Sequence, residues 1–424
     1  MPFLVQVKNS GTAMQANVDL RQAIYALSDA LDLVGVNDFY HGKRVGLMAV
    51  EMARGMGQDA AAQDELFDTG LLHDCGVSST ATHQHLVEEM DWEGAQDHCE
   101  WGQALLSGFS HLAHLAPAVR YHHTHWRDLA RLTIDPALAR KANLIFLVDR
   151  VDALAAPHYG PELLLHKQAI RDTLAGYSGE MFDPRLIEAF LDISLADAFW
   201  LILEPRHIQN FLGEMLHHGL PRRLDFPELR QMAMMFSHVV DAKSPFTAAH
   251  SLGVASLARL LGELDGQDGD TCDKLEIAGL MHDLGKLQVP DDILDKPGPL
   301  NVSERLVMNR HSFETYQILR RIPGLEEVAA WAAYHHETLD GSGYPYRLHA
   351  GDLPRPARLL AVADVFQAMA QNRPYRGSVP AREILELLQL RAREGHLDAG
   401  AVALVERNLD ACWRAACEGM ASGS

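Results

Sequence analysis

Two pairs of adjacent histidines, His122-His123 and His335-His336, occupy matching positions in the two halves of this sequence. In both halves a single histidine precedes a His-Asp dipeptide by 32 positions, and a further histidine precedes the adjacent pair by 24 positions. An aspartate inside an apolar segment closes both series. The first series consists of His41, His73, Asp74, His98, His122, His123 and Asp149, and the second of His250, His282, Asp283, His311, His335, His336 and Asp364. Coincidence among 23 histidines does not produce so many matched spacings, so we interpret the chain as a duplicated domain.

Each series ends in an aspartate that needs a partner. Asp364 lies in ARLLAVADVFQAM, which is otherwise apolar over several helical turns, and Asp149 lies in NLIFLVDRVDAL. A buried carboxylate carries a large desolvation cost, so it must be neutralised, hydrogen-bonded or bound to a metal ion. Arg150 is not expected to neutralise Asp149, because adjacent positions do not face each other on a helix. A helix terminus or a distant arginine is the alternative to a metal.

The ligand types indicate which metal and which reaction. Mixed histidine and aspartate donors favour Fe, Mn, Zn or Ni over Ca or Mg. Seven donors are too many for one tetrahedral ion but suit two octahedral ions that share a bridging carboxylate. Two ions roughly 3.5–4 Å apart activate water and bind the attacking and leaving oxygens in phosphoester hydrolysis. The second series therefore predicts a dinuclear hydrolase site, and the first series repeats the same ligand types.

Composition limits the class of protein and its partners. The chain has 424 residues, 47% of them hydrophobic and 22% charged, which is enough for two domains of ordinary size. A net charge of −20 argues against a nucleic acid polymer as partner, although a small anion can still bind where metal ions reverse the local field. We find no apolar run of membrane-spanning length and no secretory pattern, and the five cysteines form no CxxC pair. These features predict a cytoplasmic protein without membrane contact.

Apolar periodicity predicts an all-α fold of two tandem helical bundles, spanning about 20–200 and 226–412. In DKLEIAGLMHDLGK, apolar residues recur at helical spacing and His282 faces inward at the helix end. Gly285 then suits a left-handed stop at the helix C-terminus. Strand-like alternation is scarce. The segment between the bundles lacks a Gly/Ser run, so we expect ordered helix there.

Two motifs give the second half a family resemblance. HDLGK at 282–286 and HHETLDGSGYP at 335–345 resemble the HD-GYP branch of the HD superfamily of metal phosphohydrolases. Further matches are HSLGV at 250, RHSFETYQIL at 310, LLAVADVFQAM at 359 and RPYR at 373–376. The resemblance is close over 226–412 and looser over 20–200. It implies a phosphodiesterase that hydrolyses cyclic di-GMP, or in some members 3′,3′-cyclic GMP-AMP, to a linear dinucleotide.

The resemblance also implies a role for each matching residue. One metal would be held by His250, His282, Asp283 and Asp364, and the other by His311, His335 and His336, with Asp283 bridging. Lys286 would contact the scissile phosphate and stabilise its developing charge. Gly341 and Gly343 would permit the turn, while Gly343, Tyr344 and Pro345 would form the pocket wall. Glu337 and Asp340 would orient neighbouring groups rather than bind metal.

Several positions depart from the family pattern. Phe246 stands where some members have a glutamate that holds a third metal, so two ions are expected. The usual arginine three positions after the first histidine is Gly253 here, although Arg44 occupies that position in the first half. Gln367 replaces the usual aspartate. The first half keeps every ligand type but has Val77 in place of the lysine and no GYP loop, so we expect it to be a degenerate HD domain.

Other functions remain open from the sequence. The second half could be another HD hydrolase, acting on dNTPs or guanosine tetraphosphate. It could also be a non-catalytic signalling module that binds the nucleotide, or docks a signalling protein through the GYP surface. The first set of ligands could hold metal or be an inherited but empty site. The sequence does not decide which cyclic dinucleotide is preferred, nor which metal is native, with Fe or Mn favoured over Ni or Zn.

Overall fold

The computed structural model describes residues 18–34, 40–77, 79–216, 222–243, 250–371 and 377–417. Most of these residues are helical, which confirms the predicted all-α class. A two-stranded sheet is formed by β1 (Val18–Asp19) and β2 (Arg223–Leu224), which pair antiparallel with Val18 opposite Leu224. Among the described residues, no helix combines the length and the apolar character needed to cross a bilayer.

The chain divides into two compact units. The first, here called the N-terminal unit, spans 27–221. Its helices after α1 (Leu20–Leu31) are α2 (His41–Gly55), α3 (Ala60–Leu72), α4 (Thr80–Glu88), α5 (Ala95–Ser107), α6 (Ala116–Tyr121), α7 (Trp126–Leu129), α8 (Pro136–Ala155), α9 (Leu163–Ala175), α10 (Pro184–Ile193), α11 (Asp197–Leu201) and α12 (Pro205–Leu216). A short 3-10 helix, Ala156–His158, follows α8.

The second, the C-terminal unit, contains residues from Arg222 onward and also those up to Ala26. Its helices are α13 (Phe226–Lys243), α14 (His250–Asp265), α15 (Gly269–Met281), α16 (Asp291–Leu294), α17 (Val302–Leu319), α18 (Glu326–Ala333), α19 (Arg355–Ala370), α20 (Ala381–Arg393), α21 (Ala399–Arg407) and α22 (Leu409–Ala416). A 3-10 helix, Leu284–Gln288, follows α15. The sequence did not indicate that β1 and the start of α1 group with this unit, and the predicted bounds 20–200 and 226–412 stay a prediction.

Equivalent aspartates start equivalent helices in the two units. Asp59 accepts a hydrogen bond from the backbone N–H of Ala62 at the start of α3, and Asp268 does the same from Thr271 at the start of α15. Each satisfies one of the backbone donors that a helix N-terminus leaves unpaired. The helices begun in this way end at His73-Asp74 and at His282-Asp283. Helix start and ligand position are therefore linked by a fixed length of chain.

The repeat continues into the last helices of each unit. Asp183 and Asp398 lie 34 positions after Asp149 and Asp364, respectively. Their carboxylates accept backbone N–H groups at the starts of α10 and α21. The matching spacing of these two residues is thus explained by helix capping and not by metal chemistry.

The prediction for Gly285 was wrong. This residue lies within the 3-10 helix that follows α15 and does not have the positive φ of a left-handed stop. A glycine is needed there for another reason, because a Cβ atom would lie 2.1 Å from the carbonyl oxygen of His311. The close approach brings the HD dipeptide against α17, and so brings the ligands of the two elements together.

Candidate metal centre

Five segments of the C-terminal unit deliver the seven side chains of the second series to one place. His250 is the first residue of α14, and His311 lies within α17. The dipeptide His282-Asp283 directly follows α15, and His335-His336 lies one residue after the end of α18. Asp364 lies in the middle of α19. Most of these side chains are buried, and His336 is the most accessible at about 30% exposed.

Asp283 lies at the centre of the group. Its Oδ2 is 3.5 Å from Nε2 of His250 and 3.2 Å from Nε2 of His282. Its other oxygen, Oδ1, is 3.5 Å from Nε2 of His311 and 3.9 Å from Nε2 of His335. Each carboxylate oxygen therefore faces a different pair of imidazoles. This is the arrangement required of a carboxylate that bridges two ions.

Asp364 completes the group from α19. Its Oδ1 is 3.4 Å from Nε2 of His250 and 3.8 Å from Nε2 of His282, and its Oδ2 is 4.0 Å from Nδ1 of His336. The buried Asp364 carboxylate, which needs a partner to offset its desolvation cost, thus lies next to three histidines from three other elements. No arginine takes part in the contacts of Asp364 among the residues described.

Contacts behind the rings fix the direction of three imidazoles. Each donates its Nδ1–H to the backbone carbonyl three residues earlier, as seen for His282 to Gly279 (2.8 Å), His311 to Met308 (2.7 Å) and His335 to Ala332 (2.5 Å). A carbonyl oxygen can only accept, so the proton must be on Nδ1. Nε2 then presents a lone pair to Asp283, as in a histidine that binds metal.

The pKa shifts of His311, His335 and Asp283 favour the forms that bind metal, whereas the pKa of His282 is raised because Asp283 outweighs the effect of burial. Burial, together with the charges of neighbouring histidines, lowers the pKa of His311 to about 3 and holds the pKa of His335 well below its ordinary value. Burial acts in the opposite sense on Asp283, but His282 and Lys286 hold the pKa of this carboxyl well below its ordinary value. Neutral imidazoles and ionised carboxylates are the forms that bind metal.

Asp283 provides the test of whether a metal fits. Its Oδ1 is buried and has no hydrogen-bond partner, although two imidazole nitrogens point toward it. An ionised oxygen in that position is costly unless a cation binds it. The donors present therefore fit divalent metal ions.

His250 is supported differently from the other histidines. Its Nδ1 donates to Oε1 of Gln367, one turn after Asp364 on α19, at 2.5 Å. The Gln367 amide in turn faces the carbonyl oxygen of Ala416 at the end of α22, 3.5 Å away. Gly253 leaves the space for this contact, because a Cβ there would lie 2.3 Å from the same carbonyl oxygen. Sequence reasoning noted both residues as departures but missed that they act together.

The N-terminal unit makes the equivalent contact with a charged pair. Nδ1 of His41 contacts Oδ2 of Asp152 at 2.8 Å, and Arg44 donates to both carboxylate oxygens of Asp152. These two residues occupy the positions of Gln367 and Gly253. An Asp–Arg pair in one half is therefore matched by a Gln–Gly pair in the other. This exchange could have been found in the sequence. In each half, one of the two residues lies three positions after the first ligand and the other lies three positions after the last ligand.

Lys286 and the loop that follows His336 border the C-terminal centre. The Lys286 ammonium lies 2.5 Å from Oδ2 of Asp283. Gly341 has a positive φ of 79°, and a Cβ at Gly343 would lie 2.5 Å from the Cα of Glu337, so the sequence interpretation of a glycine-dependent turn holds. The Tyr344 ring lies 4.9 Å from that of His336, and its peptide bond to Pro345 is cis.

Two acidic residues hold this loop in shape. The Glu337 carboxylate accepts the backbone N–H groups of Tyr346 (2.6 Å) and Leu348 (2.9 Å). Asp340 accepts the backbone N–H of Ser342 at 3.0 Å and the Thr338 hydroxyl at 2.6 Å. These contacts are made with the loop and not with the seven candidate ligands, so both residues shape the loop beside the centre, and Asp340 also lies 3.7 Å from His396.

The first series of ligands also comes together, within the N-terminal unit. Its members form two groups whose donor atoms lie close to one another, namely His41, His73 and Asp149, and Asp74, His98, His122 and His123. The expectation about Arg150 was wrong. Its guanidinium folds back along α8 and contacts Oδ2 of Asp149 at 2.9 Å. A long, flexible side chain can reach an adjacent residue that a rigid one could not.

Two of the sequence predictions concern residues that the structure does not describe. Phe246 and RPYR at 373–376 fall outside the described ranges.

The side chains that sequence reasoning did not single out include Cys99, whose sulfur is 3.5 Å from Nδ1 of His122. Its counterpart Ser312 has its hydroxyl 3.2 Å from Nε2 of His311. The only indication of either contact in the sequence was a small polar residue directly after His98 and directly after His311.

Comparison with known proteins agrees with the geometry. Two family models, both described as HD domain, match residues 38–154 and 234–400. A Vibrio cholerae serotype O1 protein named 3'3'-cGAMP-specific phosphodiesterase 1 is 39% identical over 402 residues, which cover 92% of this chain and 92% of that protein. The chain belongs to the HD-GYP family of cyclic dinucleotide phosphodiesterases.

A second relative matches a shorter part of the chain, and a solved structure matches most of it. A Xanthomonas campestris pv. campestris protein named Cyclic di-GMP phosphodiesterase response regulator RpfG is 35% identical over 149 residues, or 35% of this chain and 39% of that protein. The crystal structure of a V. cholerae cyclic GMP-AMP specific phosphodiesterase covers 92% of this chain and 98% of its own, with 22% identity and a TM-score of 0.63. That likeness shows the fold. As in HD phosphohydrolases generally, the residues gathered in both units suit metal-dependent chemistry.

Proposed function

We propose that the C-terminal unit hydrolyses a cyclic dinucleotide, 3′,3′-cyclic GMP-AMP in preference to cyclic di-GMP, to a linear dinucleotide. The observation that carries this proposal is the convergence of five histidines on Asp283 and Asp364, with Lys286 and the GYP loop at the border. The relative that matches 92% of the chain is named for cyclic GMP-AMP, which supports that substrate over cyclic di-GMP. We also place the protein in the cytoplasm.

The cofactor in this proposal is a pair of divalent transition-metal ions, Fe or Mn. His250, His282, Asp283 and Asp364 would hold one ion, and His311, His335 and His336 the other, with Asp283 shared. When bound, such a pair supplies an activated water and a Lewis acid for the phosphodiester oxygens.

Lys286 supplies a mobile positive charge to the substrate. In the structure its ammonium contacts Asp283 Oδ2, the oxygen that faces His250 and His282. The side chain is about 17% exposed, so the ammonium lies between the buried carboxylate and the open edge of the site. A phosphodiester arriving at that edge brings a negative charge that the ammonium can bind, and the charge that develops on phosphoryl oxygens during attack strengthens the contact.

The open face of the site is formed by His336 and Tyr344. His336 is the most exposed of the seven side chains, and the Tyr344 ring packs against it. The tyrosine therefore gives an aromatic wall next to the accessible ligand. Glu337 holds the loop that carries this ring, so the wall is positioned before substrate arrives.

Lys286→Met tests the role of the ammonium. We expect kcat for cyclic GMP-AMP to fall by about 10²–10³-fold, as on removal of one group that stabilises developing charge. Metal content should stay at the wild-type level, because lysine is not a metal donor here. Lys296→Met is the matched control, since Lys296 pairs with Glu304 at the start of α17, away from the seven donors. Unchanged kcat in Lys286→Met would remove lysine from the mechanism.

A non-catalytic binding module is distinguished by a second experiment. Cyclic GMP-AMP and cyclic di-GMP are each incubated with the wild-type protein and with His282→Ala/Asp283→Ala, in the presence of Mn or Fe. Turnover by the wild type alone, faster with cyclic GMP-AMP, is the expected result. Binding of either nucleotide without turnover would refute hydrolysis and favour the module. The signalling-protein partner at the GYP loop stays a sequence prediction.

A further inference from the structure

The first-series cluster of the N-terminal unit repeats the geometry of the C-terminal centre. Nε2 of His41 lies 3.2 Å from Nε2 of His73, as Nε2 of His250 does from Nε2 of His282. His41 is also 3.5 Å from Asp74 and 3.4 Å from Asp149, the same values that His250 shows to Asp283 and Asp364. Duplication has therefore kept the positions of donor atoms and not only the residue types.

Three histidines of the cluster lie around one oxygen of Asp74. Oδ1 of Asp74 lies 3.5 Å from Nε2 of His73, 3.4 Å from Nε2 of His98 and 3.7 Å from Nε2 of His122. That oxygen is buried and has no hydrogen-bond partner. A buried carboxylate oxygen that receives no hydrogen bond from the three ring nitrogens around it is costly unless a cation binds it.

Hydrogen bonds from Nδ1 fix the orientation of two of these imidazoles. Nδ1 of His73 donates to the carbonyl oxygen of Gly70 at 2.8 Å, and Nδ1 of His122 donates to that of Val119 at 2.6 Å. Both rings therefore present a lone pair on Nε2 to the cluster. His98 differs from its counterpart His311, because its buried Nδ1 has no hydrogen-bond partner among the described residues.

A cation can reach this cluster from the surface of the N-terminal unit. A small cavity of about 20 Å³ is lined by His41, His73, Asp74 and His83. His83 also lines a large cavity of about 1320 Å³ in the same unit. His83 therefore lines both cavities, and Asp74 keeps about 16% of its side chain exposed, so the cluster is not sealed from solvent. An access path is one of the requirements of an exchangeable metal site.

We propose that the N-terminal unit holds a second centre for divalent transition-metal ions, bound by His41, His73, Asp149, Asp74, His98, His122 and His123, and that this centre does not hydrolyse phosphodiesters. This centre lacks the groups assigned to phosphodiester binding in the C-terminal unit. Val77 stands where that unit has Lys286, and no GYP loop follows His123. The centre binds more weakly than its counterpart. Arg150 brings a positive charge to Asp149, and the His98 ring lacks a backing contact.

The metal content of purified variants tests this proposal. His282→Ala/Asp283→Ala removes donors of the C-terminal centre, and His122→Ala/His123→Ala removes donors of the N-terminal one. With two ions per centre we expect about four per wild-type chain and about two in each variant, by inductively coupled plasma mass spectrometry. The control is His158→Ala/His166→Ala, which alters a stacked histidine pair that forms a separate candidate donor group with Glu162 on the N-terminal unit.

A second measurement guards against variants that lose metal by failing to fold. Chelator-stripped His282→Ala/Asp283→Ala protein is titrated with Co²⁺, and both the visible absorption and the melting temperature are followed. We expect d–d absorption and a rise in melting temperature, both absent when His122→Ala/His123→Ala is added. No absorption and no shift, or loss of both on His158→Ala/His166→Ala instead, would overturn the second centre.

Turnover by the same variant tests the remaining part of the proposal. His282→Ala/Asp283→Ala loaded with metal should not cleave cyclic GMP-AMP, and cleavage by it would refute a non-hydrolytic centre. Failure of the proposed C-terminal function is a different result. It would appear as absent turnover in the wild type, with the metal counts unaffected.

Discussion

The contact between His250 and Gln367 allows a quantitative test of how the C-terminal centre is held. Gln367→Leu keeps the approximate size of a fully buried side chain but removes the oxygen that accepts the His250 Nδ1–H at 2.5 Å. The imidazole then has a buried donor without a partner, which costs about 1–3 kcal/mol. It also loses the contact that directs Nε2 toward Asp283 and Asp364.

The expected loss can be expressed as metal affinity. Removing the residue behind a metal-binding histidine lowers affinity by about 10–100-fold, which corresponds to about 1.4–2.7 kcal/mol. Gln367→Glu should behave differently from Gln367→Leu, because a carboxylate accepts the same hydrogen bond, as Asp152 does from His41 in the N-terminal unit. We therefore expect a smaller loss of affinity from the glutamate than from the leucine, because the glutamate keeps the hydrogen bond to His250 but lacks the arginine that Arg44 supplies to Asp152.

Competition with a fluorescent chelator measures this difference directly. The N-terminal cluster is first removed with His122→Ala/His123→Ala, so that only the C-terminal centre is titrated. Gln389→Leu on α20 is the matched control, since Gln389 is surface-exposed and pairs with Glu406. Wild-type affinity in Gln367→Leu would refute the reasoning, and so would equal losses in the leucine and glutamate variants.

Two further predictions concern stability of the C-terminal unit. Gly253→Ala places a Cβ 2.3 Å from the Ala416 carbonyl oxygen and should cost about 1–3 kcal/mol by overpacking, seen as a lower melting temperature. Gly213→Ala on α12 has open space around it and should not destabilise, so equal melting temperatures for the two variants would contradict the packing argument. Burial raises the pKa of Asp241 to about 7, so the folded protein holds that proton more tightly than the unfolded chain does. The resulting stability is present below about pH 4 and is lost as pH rises toward 7. Asp241→Asn should therefore raise the melting temperature of chelator-stripped protein more at pH 8 than at pH 5, and a gain that does not change with pH would contradict it.

The helical class and the family could be predicted from the sequence because both depend on local patterns. Apolar periodicity predicted the helices, and the spacing of His282-Asp283 from His335-His336 carried the family resemblance. The spacing also predicted which side chains meet, since duplication fixes the same chain length between ligands in both halves.

The supporting contacts could not be predicted in the same way. Gln367 meets His250 across 117 positions of the chain, and the exchange with Asp152 and Arg44 has meaning only once both units are seen. Arg150 was misjudged because helix periodicity describes where side chains start and not how far a flexible one can bend. Gly285 was misjudged because sequence shows that a glycine is present, not whether backbone angle or a neighbouring carbonyl demands it.

The pairing of β1 with β2 has a consequence for dissecting this protein. Val18 and Asp19 belong to the C-terminal unit, so this unit is built from two stretches of chain and the N-terminal unit is an insertion between them. A truncated protein that starts at Arg222 leaves Arg223 and Leu224 with an unpaired strand edge. Such a fragment would lose stability for a reason unrelated to the missing histidine cluster. Fusing residues 18–26 back through a short linker would separate the two effects.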